Sequence, residues 1–517
     1  MTAPTEGLSR LHGGLRLPAR KARSTANPIR DVPVPPRLIL PLARKPGSAA
    51  RPLVAPGDRV ARGQRIAAGR PSVSASVHAA SSGVVAAVED RPVPGRGGAA
   101  EVACIVIDTD GEDRPDPGCR PLPAAVTDDP AALAGAVEAA GIRGLGGAAY
   151  PTAPKLAEGL GRDLQALILN GAECEPCISC DDRLMRERAA DIVAGAQLML
   201  TVLGISDCLV AVESDKPEAW RAMKAALSEA PEGIRLIQLP TVYPSGGEDQ
   251  LVKLLTGREV PSGGLPTDVG YLVQNVGTAE AVARLAATGE PLISRVVTVT
   301  GEGIAEPGNY RVRFGTPMAA VAAAAGGYTE DADCLIMGGP MTGISLPHDD
   351  FPVVGATNCL LVTRERPAAS PEPERPCIRC GECARVCPVR LQPQQIFRHA
   401  RPADEEALAV LGLDDCIECG CCDLVCPSHI PLTGGFRRAK AALQLKAHER
   451  GKAERARQRF EARERRLRER ENTARERQED VRRQAGADAI EEILARRRAG
   501  RPGGGRDNGD HGGGGGD

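Results

Sequence analysis

The sequence contains few aromatic residues and no long apolar run. Aromatic side chains make up 2% of the 517 residues, with one tryptophan, which argues against a surface that stacks nucleic-acid bases. The nearest approach to a membrane span, residues 192–205, is bounded by aspartates and is shorter than the roughly 18 uncharged apolar residues required. The N-terminal segment lacks the apolar core of a secretory signal. We therefore expect a cytosolic protein that does not cross a membrane by itself.

Neither sign of charge dominates the chain. Its net charge of −2 predicts no general affinity for nucleic acid or other polyanions. Basic side chains exceed acidic ones within 449–483, so the average conceals a basic segment. At roughly 100 to 200 residues per domain, the length predicts several folding units.

Cysteine, in contrast, is abundant. Without an export signal, the 17 cysteines are expected to be thiols or metal ligands rather than disulfides. Eight of them form two copies of C-x2-C-x2-C-x3-C-P: Cys377, Cys380, Cys383 and Cys387, then Cys416, Cys419, Cys422 and Cys426. This is the spacing of bacterial [4Fe–4S] ferredoxins, whereas zinc sites typically use two separated C-x2-C pairs.

The twin motif predicts two [4Fe–4S] clusters with exchanged fourth ligands. The first three cysteines of each motif surround one cluster, and the fourth reaches the other cluster. The expected ligand sets are Cys377, Cys380, Cys383 with Cys426, and Cys416, Cys419, Cys422 with Cys387.

Two groups of cysteines fall outside this pattern. Cys421 is off register beside a ligand, and we expect it to be a packing residue. Cys174, Cys177 and Cys180 are spaced C-x2-C-x2-C without a fourth partner. They are either a third metal site or, as we favour, small buried residues.

The N-terminal region predicts a strand-rich domain. Residues 30–110 hold short β-branched runs and turn glycines without helical periodicity, and they resemble the barrel-sandwich hammerhead of lipoyl and biotinyl domains. The modified lysine of those domains is absent, and His78 lies in the matching stretch VHAA. We expect His78 to be a turn or surface histidine rather than a ligand.

The rest of the chain predicts further domains. Residues 130–285 alternate strand-like and helical stretches, which indicates a parallel α/β domain. Residues 291–345 resemble a small β-grasp module, and residues 364–376 have the composition of a linker. The expected fold is therefore multidomain α/β and α+β. Its predicted parts are a barrel-sandwich domain (1–125), an α/β domain (126–288), a β-grasp module (289–363), a twin-cluster ferredoxin-like domain (364–436), a charged helix (437–500) and a disordered glycine-rich tail (501–517).

A glycine-rich loop opens the α/β domain. In GIRGLGGAAYPTAPK (141–155), the glycines let backbone N–H groups approach a phosphate or a flat ring, and Lys155 adds positive charge. The loop lacks the P-loop pattern and the acidic residue of a dinucleotide fingerprint. Alone, it is weak support for a nucleotide site.

Three later segments follow this loop in a characteristic order: LILNGAECEP (167–176), YPSGGEDQL (243–251) and QNVGTAEAVA (274–283). The four segments resemble the NADH-binding flavoprotein subunit of respiratory complex I. The whole arrangement, over about residues 10–440, resembles the C subunits of Rnf-type ion-translocating electron transport complexes. The stretches GREVPSGGLPTDVG and GGPMTGISLPHDDFPVV add to this resemblance.

The resemblance implies an FMN site and an NADH site. It assigns FMN to Gly144, Gly146, Gly147, Lys155, Asn170, Glu173, Gly246, Glu248, Asn275 and Thr278. It places Tyr150 and Glu175 against the dinucleotide. Leu145 and Gly247 replace polar residues of the complex I loops, so we expect NADH to bind more weakly or in another pose.

The resemblance also implies a function. The expected protein is a peripheral subunit at the cytoplasmic face of the inner membrane, which passes electrons between NADH, FMN and two [4Fe–4S] clusters, toward or from ferredoxin. Integral membrane partner subunits would couple this flow to proton or sodium transport. The alternatives are a soluble flavin and iron–sulfur NADH dehydrogenase, and an electron-transfer scaffold that binds no nucleotide.

The charged helix leaves two interpretations open. Ala453, Phe460, Leu467, Ala474 and Val481 recur every seven residues, so a narrow seam would pack on a partner helix. Alternatively, the helix is solvated and carries i,i+4 charge pairs.

Overall fold

The computed structural model describes residues 8–43, 48–70, 74–95, 98–230, 232–364 and 373–500. The predicted tail at 501–517 and most of the predicted linker lie outside these residues. The chain divides into two units, Met1–Lys440 and Ala441–Asp517.

The N-terminal region forms two antiparallel sheets, ordered β2-β8-β7-β4 and β3-β5-β6. Its strands are β1 (Arg30–Asp31), β2 (Arg37–Pro41), β3 (Arg51–Pro52), β4 (Arg59–Val60), β5 (Arg65–Ala68), β6 (Val77–His78), β7 (Gly83–Gly95) and β8 (Gly98–Thr109). β-Branched and leucine side chains such as Leu38, Ile66 and Ile105 fill the core. The predicted strand-rich domain is confirmed.

His78 contradicts its predicted environment. It is buried in β6, because the segment around Gly141 packs on it: a Cβ added at Gly141 would lie 3.5 Å from Nδ1 of His78. Burial lowers the pKa of His78 to about 3. The prediction of a turn or surface histidine is therefore wrong.

The α/β domain contains a parallel sheet ordered β11-β10-β9-β12. Its strands are β9 (Ala166–Gly171), β10 (Cys208–Glu213), β11 (Ile234–Leu239) and β12 (Tyr271–Asn275). Its helices are α1 (Ala124–Thr127), α2 (Pro130–Ala139), α3 (Thr152–Gly159), α4 (Cys180–Glu187), α5 (Ala189–Leu203), α6 (Pro217–Leu227), α7 (Glu248–Thr256) and α8 (Val276–Thr288), with a 3₁₀ turn at Pro266–Val269. β10 is buried along its whole length, as is typical of parallel strands covered on both faces.

The next module is a mixed sheet ordered β1-β14-β13-β17-β15-β16. Its elements are β13 (Ser294–Thr300), β14 (Gly308–Arg313), α9 (Met318–Ala324), β15 (Cys334–Met337), β16 (Ile344–Leu346) and β17 (Cys359–Thr363). β1 pairs in parallel with β14 at Tyr310 and Arg311. The N-terminal segment thus adds an edge strand to a sheet that lies about 280 residues further along the chain.

The cysteine-rich region is built from short helices. They are α10 (Glu382–Arg385), α11 (Pro393–Ala400), α12 (Glu405–Val410) and α13 (Cys421–Leu424), with a 3₁₀ turn at Leu413–Asp415. Two of these helices, α11 and α12, lie between the two cysteine motifs. The break lies at Pro402, whose missing N–H prevents it from continuing α11.

The final helix, α14 (Leu432–Ala499), begins five residues before the predicted start. Beyond Lys440 it is almost entirely exposed, including Phe460, Leu467 and Val481 of the predicted seam. Ion pairs at i,i+4 spacing lie along it: Arg457 with Glu461, Arg468 with Glu464, Arg475 with Glu479 and Arg496 with Glu492. These pairs favour the solvated-helix interpretation. Among the described residues, no helix combines the length and apolarity that crossing a bilayer requires.

Candidate functional site

The carboxyl edge of the parallel sheet brings the predicted segments together. Asn170 ends the core of β9 and pairs with Asn275 at the end of β12. Asn170 Nδ2 donates to the carbonyl oxygen of Gly246 at 2.9 Å. Asn275 Oδ1 accepts from the N–H of Gly277 at 2.8 Å and caps α8. Ligand sites of α/β sheets lie at this edge, so the topology supports the predicted location.

The glycine loop is held from two sides. The N–H of Leu145 donates to Oγ1 of the fully buried Thr278 at 3.0 Å. Arg295, from β13, donates from Nη2 to the carbonyl oxygen of Leu145 at 3.0 Å. Thr278 therefore supports the loop rather than pointing away from it, and a residue of the next module fixes its other face.

Space is open on the loop itself. Gly147 has φ +109°, a conformation that favours glycine, and a Cβ added there would meet no atom within 4 Å. A Cβ at Gly146 would lie 3.5 Å from the side chain of Asn275. The N–H of Gly144 donates to the carbonyl oxygen of Tyr150 at 2.8 Å, which closes the loop. A flat ring or phosphate therefore has room beside Gly147, while the side chain of Asn275 borders Gly146.

Two predicted polar residues contact each other. Nζ of Lys155, in α3, lies 2.6 Å from Oε1 of Glu248, the first residue of α7. Both side chains keep some exposure, at 24% and 42%. Tyr150 lies just before α3, with its hydroxyl 3.5 Å from Glu158 Oε1. The charge of Lys155 is thus partly balanced before any ligand is considered.

Glu173 faces the start of α4. Its carboxylate accepts from the N–H groups of Asp181 at 2.7 Å and Asp182 at 3.2 Å. Burial raises its pKa to about 7, although Lys21 opposes the shift. Burial likewise raises the pKa of Asp181, which accepts from Nδ2 of Asn275 at 2.7 Å. Glu173 and Asn275 therefore share one buried polar network behind the glycine loop.

The carboxylate of Glu175 is already engaged by the chain. It accepts from the N–H groups of Met341 at 2.9 Å and Thr342 at 2.8 Å, and from the hydroxyl of Thr342 at 2.6 Å. These hydrogen bonds hold the turn between β15 and β16. A contact between Glu175 and a dinucleotide would have to replace them, and that role stays a prediction.

The closely spaced cysteines of the α/β domain, Cys174, Cys177 and Cys180, have separate surroundings. Sγ of Cys174 accepts from the N–H of Gly246 at 3.3 Å, and Cys177 is buried. Among the described residues, only Cys180 of the three joins a group of close ligand atoms, with Glu173 and Asp181. A packing role for the three cysteines stays a prediction.

The two cysteine motifs have the same backbone shape. Positive φ angles recur 39 positions apart, at Arg379 and Glu418, Gly381 and Gly420, and Arg390 and His429. Cys387 of the first motif lines one cavity with Cys416, Cys419 and Cys422 of the second. The thiols in this cavity fit the predicted second cluster, including its exchanged ligand.

The complementary exchange has its own geometric support. The N–H of Arg375 donates to the carbonyl oxygen of Ser428 at 2.9 Å. The hydroxyl of Ser428 donates to the carbonyl oxygen of Pro376 at 3.0 Å. The chain before Cys377 thus lies beside the chain after Cys426. Cys421 is fully buried against Tyr243 and Val386, in agreement with its predicted packing role.

Sequence reasoning missed Arg295 and Tyr243. Arg295 is 3% exposed, and its guanidinium donates to the carbonyl oxygens of Leu145, Val296 and Gly355. The one sequence feature that could have identified Arg295 is its charge within the apolar run ISRVVTVT. The hydroxyl of Tyr243 donates to the carbonyl oxygen of Cys419 at 2.6 Å. Tyr243 carried no signal beyond its place in YPSGGEDQL.

Four protein families match parts of the chain. They are the RnfC barrel sandwich hybrid domain (9–112), the Nuo51 FMN-binding domain (137–284), the SLBB domain (296–345) and the 4Fe-4S dicluster domain (375–430). These matches confirm the predicted barrel sandwich, the FMN-binding α/β domain and the dicluster domain.

Curated relatives match across most of the chain. The C subunit of the ion-translocating oxidoreductase complex of Pseudomonas aeruginosa is 47% identical over 88% of this chain and 59% of its own length. The same subunit of Cronobacter sakazakii is 43% identical over 88% of this chain and 58% of its own. That of Vibrio cholerae is 42% identical over 94% of this chain and 64% of its own. The chain thus spans about three fifths of the length of these relatives.

Similarity to solved structures is more distant. An NAD⁺-reducing [NiFe]-hydrogenase in the air-oxidized state matches 55% of each chain, with 23% identity and a TM-score of 0.43. The relatives, together with the RnfC and Nuo51 domain matches, show that the chain is similar over most of its length to the C subunits of ion-translocating oxidoreductase complexes.

Proposed function

We propose that the protein is a peripheral electron-transfer subunit that binds FMN, NAD(H) and two [4Fe–4S] clusters. The observation that carries this proposal is that one unit, Met1–Lys440, contains both an open glycine loop and two ferredoxin-type motifs, with Cys387 of the first motif beside the cysteines of the second. The partners would be integral membrane subunits and ferredoxin, with proton or sodium transport as the coupled process. The site would lie at the cytoplasmic face of the inner membrane.

The residues would divide the work as follows. The backbone at Gly146 and Gly147 leaves room for the flavin, and Asn170 and Asn275 fix the two segments on either side of it. Lys155 would contribute positive charge near a phosphate. It would then either bind Glu248 and the phosphate together or break its ion pair with Glu248. Tyr150 would cover the nicotinamide dinucleotide. When bound, FMN would accept the two electrons of a hydride and release them singly, which the clusters require.

The eight cysteines would hold the clusters in the exchanged arrangement. Cys377 and Cys380 are exposed, whereas Cys383, Cys387 and Cys422 are buried. The first-motif cluster would therefore be the one that meets an external electron carrier. We also propose the finer fold assignments: a hammerhead topology for the barrel sandwich, a β-grasp for residues 291–345, and the domain boundaries predicted above.

A second function keeps specific support. The Lys155–Glu248 ion pair and the engaged carboxylate of Glu175 leave few free polar groups for a dinucleotide. They favour an electron-transfer scaffold that binds no nucleotide over a soluble dehydrogenase. Both rivals keep the clusters and differ in flavin content and membrane association.

Anaerobic purification tests the proposal directly. We expect flavin extraction to give one FMN per chain, iron analysis to give eight Fe per chain, and NADH to reduce the clusters. A chain with both clusters but without flavin or NADH reduction would establish the scaffold instead.

Membrane association requires a separate experiment. Membranes that contain the complex are washed at high salt after removal of residues 450–517. Release of the shortened chain would show that the helix contributes to attachment. Full retention would show that attachment depends on residues 1–449 and the partner subunits alone.

A further inference from the structure

Tyr243 connects the α/β domain to one iron–sulfur motif. It lies between β11 and α7 and is 4% exposed. Its ring packs with Val386 and Cys421, and its hydroxyl donates to the carbonyl oxygen of Cys419 at 2.6 Å. The backbone groups of Tyr243 also pair with both backbone groups of Leu15, so the ring is held in one orientation.

The same loop reaches the predicted flavin pocket. Three residues after Tyr243, the carbonyl oxygen of Gly246 accepts from Asn170, and its N–H donates to Sγ of Cys174. A displacement of Tyr243 would therefore be transmitted to Gly246. One short segment borders both predicted redox sites.

A second contact converges on the same motif. The turn that Glu175 holds carries Met341, which packs in the cluster of Tyr243 and Cys421. A Cβ added at Gly420 would lie 3.3 Å from the carbonyl oxygen of Met341. Both loops thus meet the segment that carries Cys419 and Cys422.

The first motif contributes to this contact only through its last ligand segment. Val386, next to Cys387, packs on Tyr243, and the N–H of Gly14 donates to the carbonyl oxygen of Val386 at 2.9 Å. Ile378, in contrast, is 68% exposed beside exposed Cys377. These contacts therefore lie beside the predicted ligands of one cluster: Cys387, Cys416, Cys419 and Cys422.

We propose that Tyr243 is a positioning residue that makes this second-motif cluster the flavin-side cluster and sets its reduction potential. A hydroxyl that donates to the backbone carbonyl of a ligand offsets part of the negative charge of that carbonyl oxygen, which stabilises the more negative, reduced state of a cluster beside it. Hydrogen bonds around a cluster are among the levers that tune its potential. This inference rests on the proposed function, because it needs both clusters to be present.

The test compares Tyr243→Phe with Tyr271→Phe in the full chain, purified without air. Tyr243→Phe keeps the packed ring and removes only the hydroxyl. Tyr271→Phe removes a part-buried hydroxyl elsewhere in the α/β domain, one that hydrogen-bonds to the side chain of Gln165. Redox titration followed by EPR measures each cluster, and Cys422→Ala identifies the second-motif signal.

We expect Tyr243→Phe to lower the potential of the second-motif cluster alone. A single hydrogen bond makes a modest contribution to such an equilibrium. The ratio of reduced to oxidised cluster at a fixed potential should accordingly fall about three- to tenfold, where tenfold equals about 59 mV for one electron. Tyr271→Phe should change neither cluster.

Each other outcome is decisive. Loss of the second-motif cluster alone in Tyr243→Phe would support the positioning role. Unchanged potentials, equal shifts of both clusters, or loss of both clusters would overturn it. A wild-type chain that assembles no cluster would refute the proposed function itself.

Discussion

The most sensitive charge in the α/β domain is Lys216, just before α6. Its Nζ lies 3.1 Å from Oε2 of Glu213 and 2.8 Å from Oδ1 of Asp215. The side chains of Lys216 and Glu213 are both 0% exposed. Burial alone would lower the pKa of Lys216, but Glu213 and the other carboxylates outweigh it and raise this pKa. The other oxygen of Glu213 accepts from the hydroxyl of Ser245 at 2.6 Å.

Replacing Lys216 by Met would leave the Glu213 carboxylate buried with little compensation. Removing one partner of a buried pair typically costs about 3–5 kcal/mol, a large part of the roughly 5–15 kcal/mol that stabilises a domain. Because Ser245 belongs to the loop of Tyr243 and Gly246, the loss should also loosen that loop. The double variant with Glu213→Gln should recover much of the stability, since no buried charge is then left unpaired.

Urea unfolding measures this effect. The only tryptophan of the chain, Trp220, lies in α6, so its fluorescence reports on the domain concerned. Lys155→Met is the matched control, because the partly exposed Lys155–Glu248 pair should contribute only about 0–1 kcal/mol. If Lys216→Met destabilised the domain no more than Lys155→Met, or if the double variant were the least stable of all, the reasoning would be refuted.

Three further predictions address the clusters, the glycine loop and pH. Cys426→Ala should perturb the first-motif cluster and Cys387→Ala the second; EPR that showed each variant damaging its own motif's cluster would disprove the exchange. Gly146→Val should abolish flavin retention with little effect on folding, as flavin content and thermal melting can establish. Gly195→Ala should instead destabilise the chain by at least about 1–3 kcal/mol, because its Cβ would lie 1.9 Å from a carbonyl oxygen of α8. Burial raises the pKa of Glu173 from 4.5 to about 7, so between pH 4.5 and 7 the native state binds a proton that the unfolded state has lost. The free energy of unfolding should therefore fall by up to about 3 kcal/mol as pH rises through this range. Glu173→Gln should flatten this dependence in urea titrations across the same range.

Local spacing predicted the parts of the protein whose chemistry is local. The cysteine ligands of one motif lie within eleven residues, so their arrangement follows from a few backbone angles, and the structure repeats those angles at Gly381 and Gly420. Asn170 and Asn275 each follow a buried strand. Parallel strands place such positions at one edge, and the structure pairs the two residues directly.

Contacts between distant segments could not be predicted in this way. Arg295 reaches a carbonyl oxygen 150 positions earlier in the chain, and Tyr243 reaches one 176 positions later. His78 is buried by the segment at Gly141 rather than by its own neighbours. In each case the partner is chosen by how whole modules pack, which no short pattern encodes.

The equal shape of the two cysteine motifs has a consequence for the direction of electron flow. Two clusters held by motifs that repeat after 39 residues would have nearly the same surroundings. Electrons would then have no preferred cluster at which to enter or leave. The packing of Tyr243 and Met341 beside the predicted ligands of one cluster removes that equivalence: that cluster would be an interior relay and the other an outward terminal. The direction of electron flow would then depend on the residues around each cluster. Exchanging the surface residues of the two motifs would reverse this direction while every cysteine ligand stayed in place.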